Sequence, residues 1–167
     1  MKRIYKIVLG LLFVMSTAFS QLDFGIFPKQ FEGHTGITVI SYKKAPHHST
    51  KYYDTLFRML CKQLSCNLND YNIVVYIIPP DVPKLIEKSS PGFLEKDWIG
   101  YFFPPNVIVM TGEVDIEFFH EAMHYLQRRD NYLADLDAET AHRIIYANAA
   151  LMVLTPDYLD FLKSNPK

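Results

Sequence analysis

The sequence predicts an α+β fold built on one small mixed sheet, and three observations carry that expectation. A β-rich run, an amphipathic helical run and a second apolar run follow one another in the first half. Two short strand-like runs then flank Pro104-Pro105-Asn106, a turn or bulge signal. Two helical segments come last, so the order is strand, helix, strand, two edge strands, helix, helix.

Each element has a local reason. Ile37 to Tyr42 is β-rich and bounded by Gly36 and Lys43-Lys44. Ser49 or Thr50 can cap a helix reaching about Ser65, with Tyr53, Leu56, Phe57, Leu60 and Leu64 on one face. Asn72 to Ile78 is almost wholly apolar, as a central strand buried on both faces should be, and Pro79-Pro80 ends it. A short helix is expected near Lys84 to Lys88. Ile99 to Phe103 and Val107 to Met110 are the two edge strands, followed by a helix from about Val114 to Arg129. Asp130-Asn131 is a turn, and a long helix is expected from about Leu133 to Leu154, with Pro156 opening a last amphipathic piece.

The chain has 167 residues, a length that suits one domain. Its first twenty residues are set apart. Lys2, Arg3 and Lys6 form a basic start, Ile7 to Val14 is apolar, and the small residues Ala18 and Ser20 precede Gln21, the order of a secretory signal peptide. The expected mature domain is therefore 21–167, secreted or periplasmic, with no stable membrane anchor after cleavage. Losing three basic residues makes the formal charge of −1 more negative, and a mildly acidic domain is a poor nucleic-acid binder. Hydrophobic residues make up 49% of the chain, enough for a packed core. Cys61 and Cys66 are too distant to bridge within one continuous helix, but a helix ending near Ser65 would let Cys66 fold back.

The chemistry concentrates at His120-Glu121-Ala122-Met123-His124, an H-E-x-x-H pattern within a helical run. Residues four apart share one helix face, so both imidazoles can meet a single ion. Glu121 sits about 100° around the same helix, close enough to reach a water on that ion without being a ligand. Two nitrogen ligands, a third protein ligand from elsewhere and a neighbouring carboxylate are what a zinc hydrolase needs.

With this motif and this order of elements, residues 36–154 resemble the zincin metallopeptidases, most closely the minimal, single-domain gluzincin type. The resemblance implies a zincin-like fold, with an active-site helix and a following ligand-bearing helix, and a Zn²⁺ cofactor. His120 and His124 would be metal ligands, and Glu121 would be the catalytic base that activates a zinc-bound water for cleavage of a peptide or protein substrate. The strands within 99–110 would contact that substrate by β-augmentation.

Metzincins carry glycine three residues after the second histidine and a third ligand three residues further on. Gln127 and Asp130 stand at those positions, and Gln127 favours a helix that continues. The chain needs about six residues to leave the metal and a similar number to return, which points to 135–141. Glu139 is the first choice for the third metal ligand, as the gluzincin residue type, with Asp137 and Asp135 as live alternatives. His142 is expected to be a polar rim residue or a donor behind the ligands. His142, Tyr132 or Tyr146 could stabilise an oxyanion if it faces the cleft. His47-His48 is expected to be ordinary loop, and Trp98 with Tyr101-Phe102-Phe103 to serve packing. Two rivals remain: a deformylase-like enzyme, which lacks its cysteine motif here, and a secreted binding domain that keeps a zincin scaffold without catalysis.

Overall fold

The computed structural model describes residues 35–41, 48–79, 100–112 and 114–165. All of them belong to one compact unit, Thr35–Pro79 with Ile99–Lys167. The expected signal peptide, the helix near Lys84 to Lys88, His47 and Trp98 lie outside the described residues.

Strand β1 (Gly36–Ser41), helix α1 (Thr50–Leu64) and strand β2 (Asn72–Ile77) form the first half. The two strands are parallel, with Gly36 opposite Asn72 and Ser41 opposite Ile77. Strands β3 (Gly100–Phe103) and β4 (Val107–Met110) are antiparallel to each other, and a cis Pro104–Pro105 peptide lies between them. Strand β4 also runs parallel to β2, so the four-stranded mixed sheet has the order β1-β2-β4-β3. Among the described residues only β3 of the last pair is therefore an edge strand, which corrects the expectation of two. The composition explains the difference: Ile108, Val109 and Met110 are all buried, as apolar residues on both faces of an inner strand must be, whereas Tyr101 on β3 is 48% exposed.

Helix α1 starts where Ser49 caps it, accepting a hydrogen bond from the Tyr52 N–H. It ends at Ser65, whose φ of 54° turns the chain back so that the Cys66 N–H bonds the Cys61 carbonyl. That turn brings the two cysteines to a Cα separation of 4.7 Å, and they form a disulfide. Their spacing is too wide for an unbroken helix, and the left-handed residue removes the obstacle.

Helices α2 (Asp115–Asp130) and α3 (Ala138–Met152) follow, and α4 (Pro156–Ser164) closes the described chain. Phe57 and Leu60 of α1, Phe118, Phe119, Ala122 and Met123 of α2, and Ile145 and Ala149 of α3 share one core with Ile73, Val75, Ile77, Ile108 and Met110 of the sheet. Burying each large side chain stabilises the fold by roughly 1.5–3 kcal/mol, which is what holds α2 against the sheet. No helix among the described residues is long and apolar enough to cross a membrane.

The long helix expected from Leu133 is shorter at its N-terminus. Asn131 and Leu133 both adopt positive φ, at 57° and 60°, and residues 132–136 are a turn. Asp137 then caps α3 by accepting from the Thr140 N–H at 2.9 Å. Asparagine tolerates left-handed backbone, and aspartate satisfies the free N–H groups of a first helical turn.

Asp115 ties three helices together. It is only 3% exposed, and one carboxylate oxygen accepts from the Tyr52 hydroxyl of α1 at 2.8 Å and the Tyr158 hydroxyl of α4 at 2.6 Å. Burial, followed by the bond to Asp115, pushes both tyrosines above their ordinary pKa, so they remain donors. Asp115→Ala would strip two buried hydroxyls of their acceptor and is expected to cost about 3 kcal/mol. Asp115→Asn, which keeps an acceptor oxygen, should cost less. Urea unfolding of both variants checks the order.

Candidate metal centre

Helix α2 brings the motif to the surface of the core because its apolar residues fix its rotation. Phe118, Phe119, Ala122 and Met123 point inward, fully buried, and His120 and His124 lie one turn apart beside them. Their Nε2 atoms are 3.2 Å apart. A third imidazole arrives from α3: the His142 Nε2 is also 3.2 Å from the His120 Nε2. The ring centroids of His124 and His142 are 5.4 Å apart. His120 is buried, His124 half-buried and His142 exposed, so the group lies at the rim of the core and opens outward.

The ligand-type atoms of His120, His124 and His142 lie within 4.8 Å of one another, and the group could hold a metal ion. Two nitrogens about 2.0–2.1 Å from a tetrahedral zinc are ~3.3 Å apart, close to the two spacings found here. Three imidazoles suit zinc, copper, iron or nickel and do not suit magnesium or calcium, which take oxygen. Electrostatics agrees with the geometry. Burial, followed by the neighbouring His124 and His142 charges, pushes the His120 pKa down to about 4. Burial also lowers that of His124. Both shifts favour the neutral, metal-binding form.

The acids expected to supply the third ligand do not join this group. Glu139 is 77% exposed and pairs with Arg143 at 2.9 Å. Asp137 is occupied as the α3 cap, and Asp135 is exposed on the preceding turn. Asp130 lies at the end of α2, paired with Arg129 at 2.5 Å. The physical reason is the five-residue turn before α3, which delays the return of the chain. Glu139 is then in the first helical turn, and His142, one turn later, is level with His120.

Gln127 remains inside α2, as expected from its preference for helix. It has a second part in the site, because its Oε1 lies 3.2 Å from the His124 Nδ1. An amide oxygen only accepts, so this contact favours the tautomer of His124 with its proton on Nδ1 and the Nε2 lone pair toward the other histidines. Such outer partners orient a ligand and raise its basicity. Gln127→Ala is therefore expected to weaken zinc affinity roughly 10–100-fold, measured by competition with a chromophoric chelator.

Glu121 is 5% exposed and sits beside the histidine group. Burial is the main cause that raises its pKa well above the usual carboxylate range, followed by the charge of Glu117 and a hydrogen bond with it, against a bond from the Phe102 backbone. The Glu117 pKa is also raised, by burial. Both Glu117 and the Phe102 contact escape a reading confined to the motif; the i−4 spacing of Glu117 from Glu121 was the available signal.

Tyr146 stands against the group, its ring edge-on to His120 with centroids 5.5 Å apart. Tyr132 instead accepts from the Asn148 side chain at 2.8 Å. His48 stacks on Tyr52 at 3.7 Å. No protein-family model, curated protein or solved structure matches the chain.

Proposed function

We propose that this protein is a zinc-dependent hydrolase of zincin type that cleaves peptide bonds, with His120, His124 and His142 as the metal ligands and Glu121 as the general base. One observation carries the proposal: three imidazoles are spaced for one ion, and the buried Glu121 follows the first of them in the chain. A bound zinc ion supplies Lewis acidity, polarising a carbonyl and acidifying water. Glu121 would take the proton of the attacking water and deliver it to the leaving amine.

Peptide rather than another acyl substrate is supported by strand β3. It ends the described sheet and touches Glu121 through Phe102, so an extended chain pairing with this edge would pass the base. Tyr146, whose ring is edge-on to His120, would be the residue to steady the developing oxyanion. An exported setting is supported by the basic, apolar and small residues that open the chain, and by the Cys61–Cys66 disulfide.

The test combines elemental analysis of the purified protein with cleavage of a quenched-fluorescent peptide library. One zinc per chain and turnover lost on adding phenanthroline are expected. Bound zinc without chelator-sensitive turnover would instead favour a binding domain that keeps the scaffold.

A further inference from the structure

We propose that Glu117 is a positioning residue for Glu121, and that Gly100 on the edge strand is the space that lets it do so. The inference rests on Glu121 being the base. Glu117 and Glu121 are one helical turn apart on α2, so their side chains share a face and interact. From the other side, the Phe102 backbone of β3 bonds Glu121 as well. The base is thus held between its own helix and the edge strand.

Gly100 shows how closely Glu117 fits. A Cβ at this position would fall 2.6 Å from both the Cγ and the Oε1 of Glu117 and 3.0 Å from its Cδ. All three nearest atoms belong to that one side chain. Gly100 is not among the positive-φ glycines, so its backbone makes no special demand. The requirement is for room. The Glu117 side chain lies across the Cα of Gly100, and the strand that borders the cleft keeps it there.

This arrangement is unfavourable for stability in itself. Two acids four apart on a helix repel when both are charged, and burial penalises a carboxylate further. A structural role would be met better by an apolar side chain at 117. A carboxyl is the group that can bond Glu121 and limit its rotamers, leaving its other oxygen for a water.

Five forms of the full chain test this: wild type, Glu117→Ala, Glu117→Gln, Gly100→Ala and the Gly100→Ala/Glu117→Ala double variant. In Glu117→Ala, kcat is expected to fall roughly 10–100-fold with KM within about twofold and zinc content unchanged. Glu117→Gln retains a side-chain oxygen that can accept from Glu121 and should recover most of the loss. Gly100→Ala should resemble Glu117→Ala, because the new methyl group displaces the same side chain. The double variant should be no worse than Glu117→Ala alone.

Thermal melting of the metal-free protein gives a readout independent of turnover. Gly100→Ala should lower the Tm by roughly 3–8 °C in the wild-type background and hardly at all once Glu117 is alanine. Wild-type kcat in Glu117→Ala would overturn the inference, as would losses that multiply in the double variant. If Glu117→Ala does not fold, Gly100→Ala and Glu117→Gln decide alone: equal kcat in both would overturn it. Absence of wild-type turnover, or full activity in Glu121→Gln, would instead remove the assignment of the base, and this inference with it.

Discussion

His142→Ala is expected to weaken zinc binding by about 10²–10³, while Glu139→Ala leaves it within about twofold. A zinc site held by four ligands is worth roughly 10–16 kcal/mol, so one ligand contributes about 2.5–4 kcal/mol, or roughly two to three decades in affinity. His142 has its Nε2 3.2 Å from that of His120, whereas Glu139 is turned outward to Arg143. The two variants lie on the same helix, and both positions are exposed, so neither should disturb the core. Chelator competition at fixed pH separates them. Equal losses, or a loss confined to Glu139→Ala, would return the third ligand to the acidic stretch.

Glu121→Gln should retain zinc and lose activity, with kcat lower by roughly 10²–10⁴. Glutamine has the size and shape of glutamate, and its oxygen can still accept from the Phe102 backbone. It cannot take up a proton. The change therefore removes the acid–base function and leaves the packing of α2, in which Phe118, Phe119, Ala122 and Met123 are fully buried. Zinc content and steady-state kinetics on the same preparation are both needed. A variant with full zinc and more than a tenth of wild-type kcat would sink the proposed role.

The strands and the motif helix were legible because their signals are local. Asn72 to Ile78 is almost wholly apolar, and β2 occupies an inner position in the sheet. His120 and His124 are one turn apart in any helix, so their pairing needed only the helix itself. The third donor depended on a loop. Counting the chain up and back placed it at 135–141, on the assumption that α3 begins directly after the turn at Asn131. Left-handed residues at Asn131 and Leu133 use five more positions, and Asp137 begins the helix by capping it. The acids at Asp137 and Glu139 are therefore cap and first-turn residues, favoured there by the helix dipole. Asp137 followed by Thr140 was the overlooked start signal, and it moves the inward turn to His142. Glu117 and Gly100 could not be paired in advance, because their contact joins a strand to a helix. The sequence shows the preference of Gln127 for helix but not the contact of its side chain with His124, which depends on the rotamers of both.

The closeness of the three histidines in the chain has a consequence for how the molecule assembles. His120 and His142 are separated by 22 positions, and both lie on a hairpin of consecutive helices. The parallel pairing of β1 with β2 joins residues 36 positions apart, from Gly36 to Asn72. Shorter loops close at lower entropic expense and sooner, so the ligand-bearing hairpin belongs to the early, local contacts of folding. The contact between β3 and Glu121 requires the sheet as well. On the proposed function, competence to capture an ion would thus precede competence to use it, and the order in which the chain folds would separate the two.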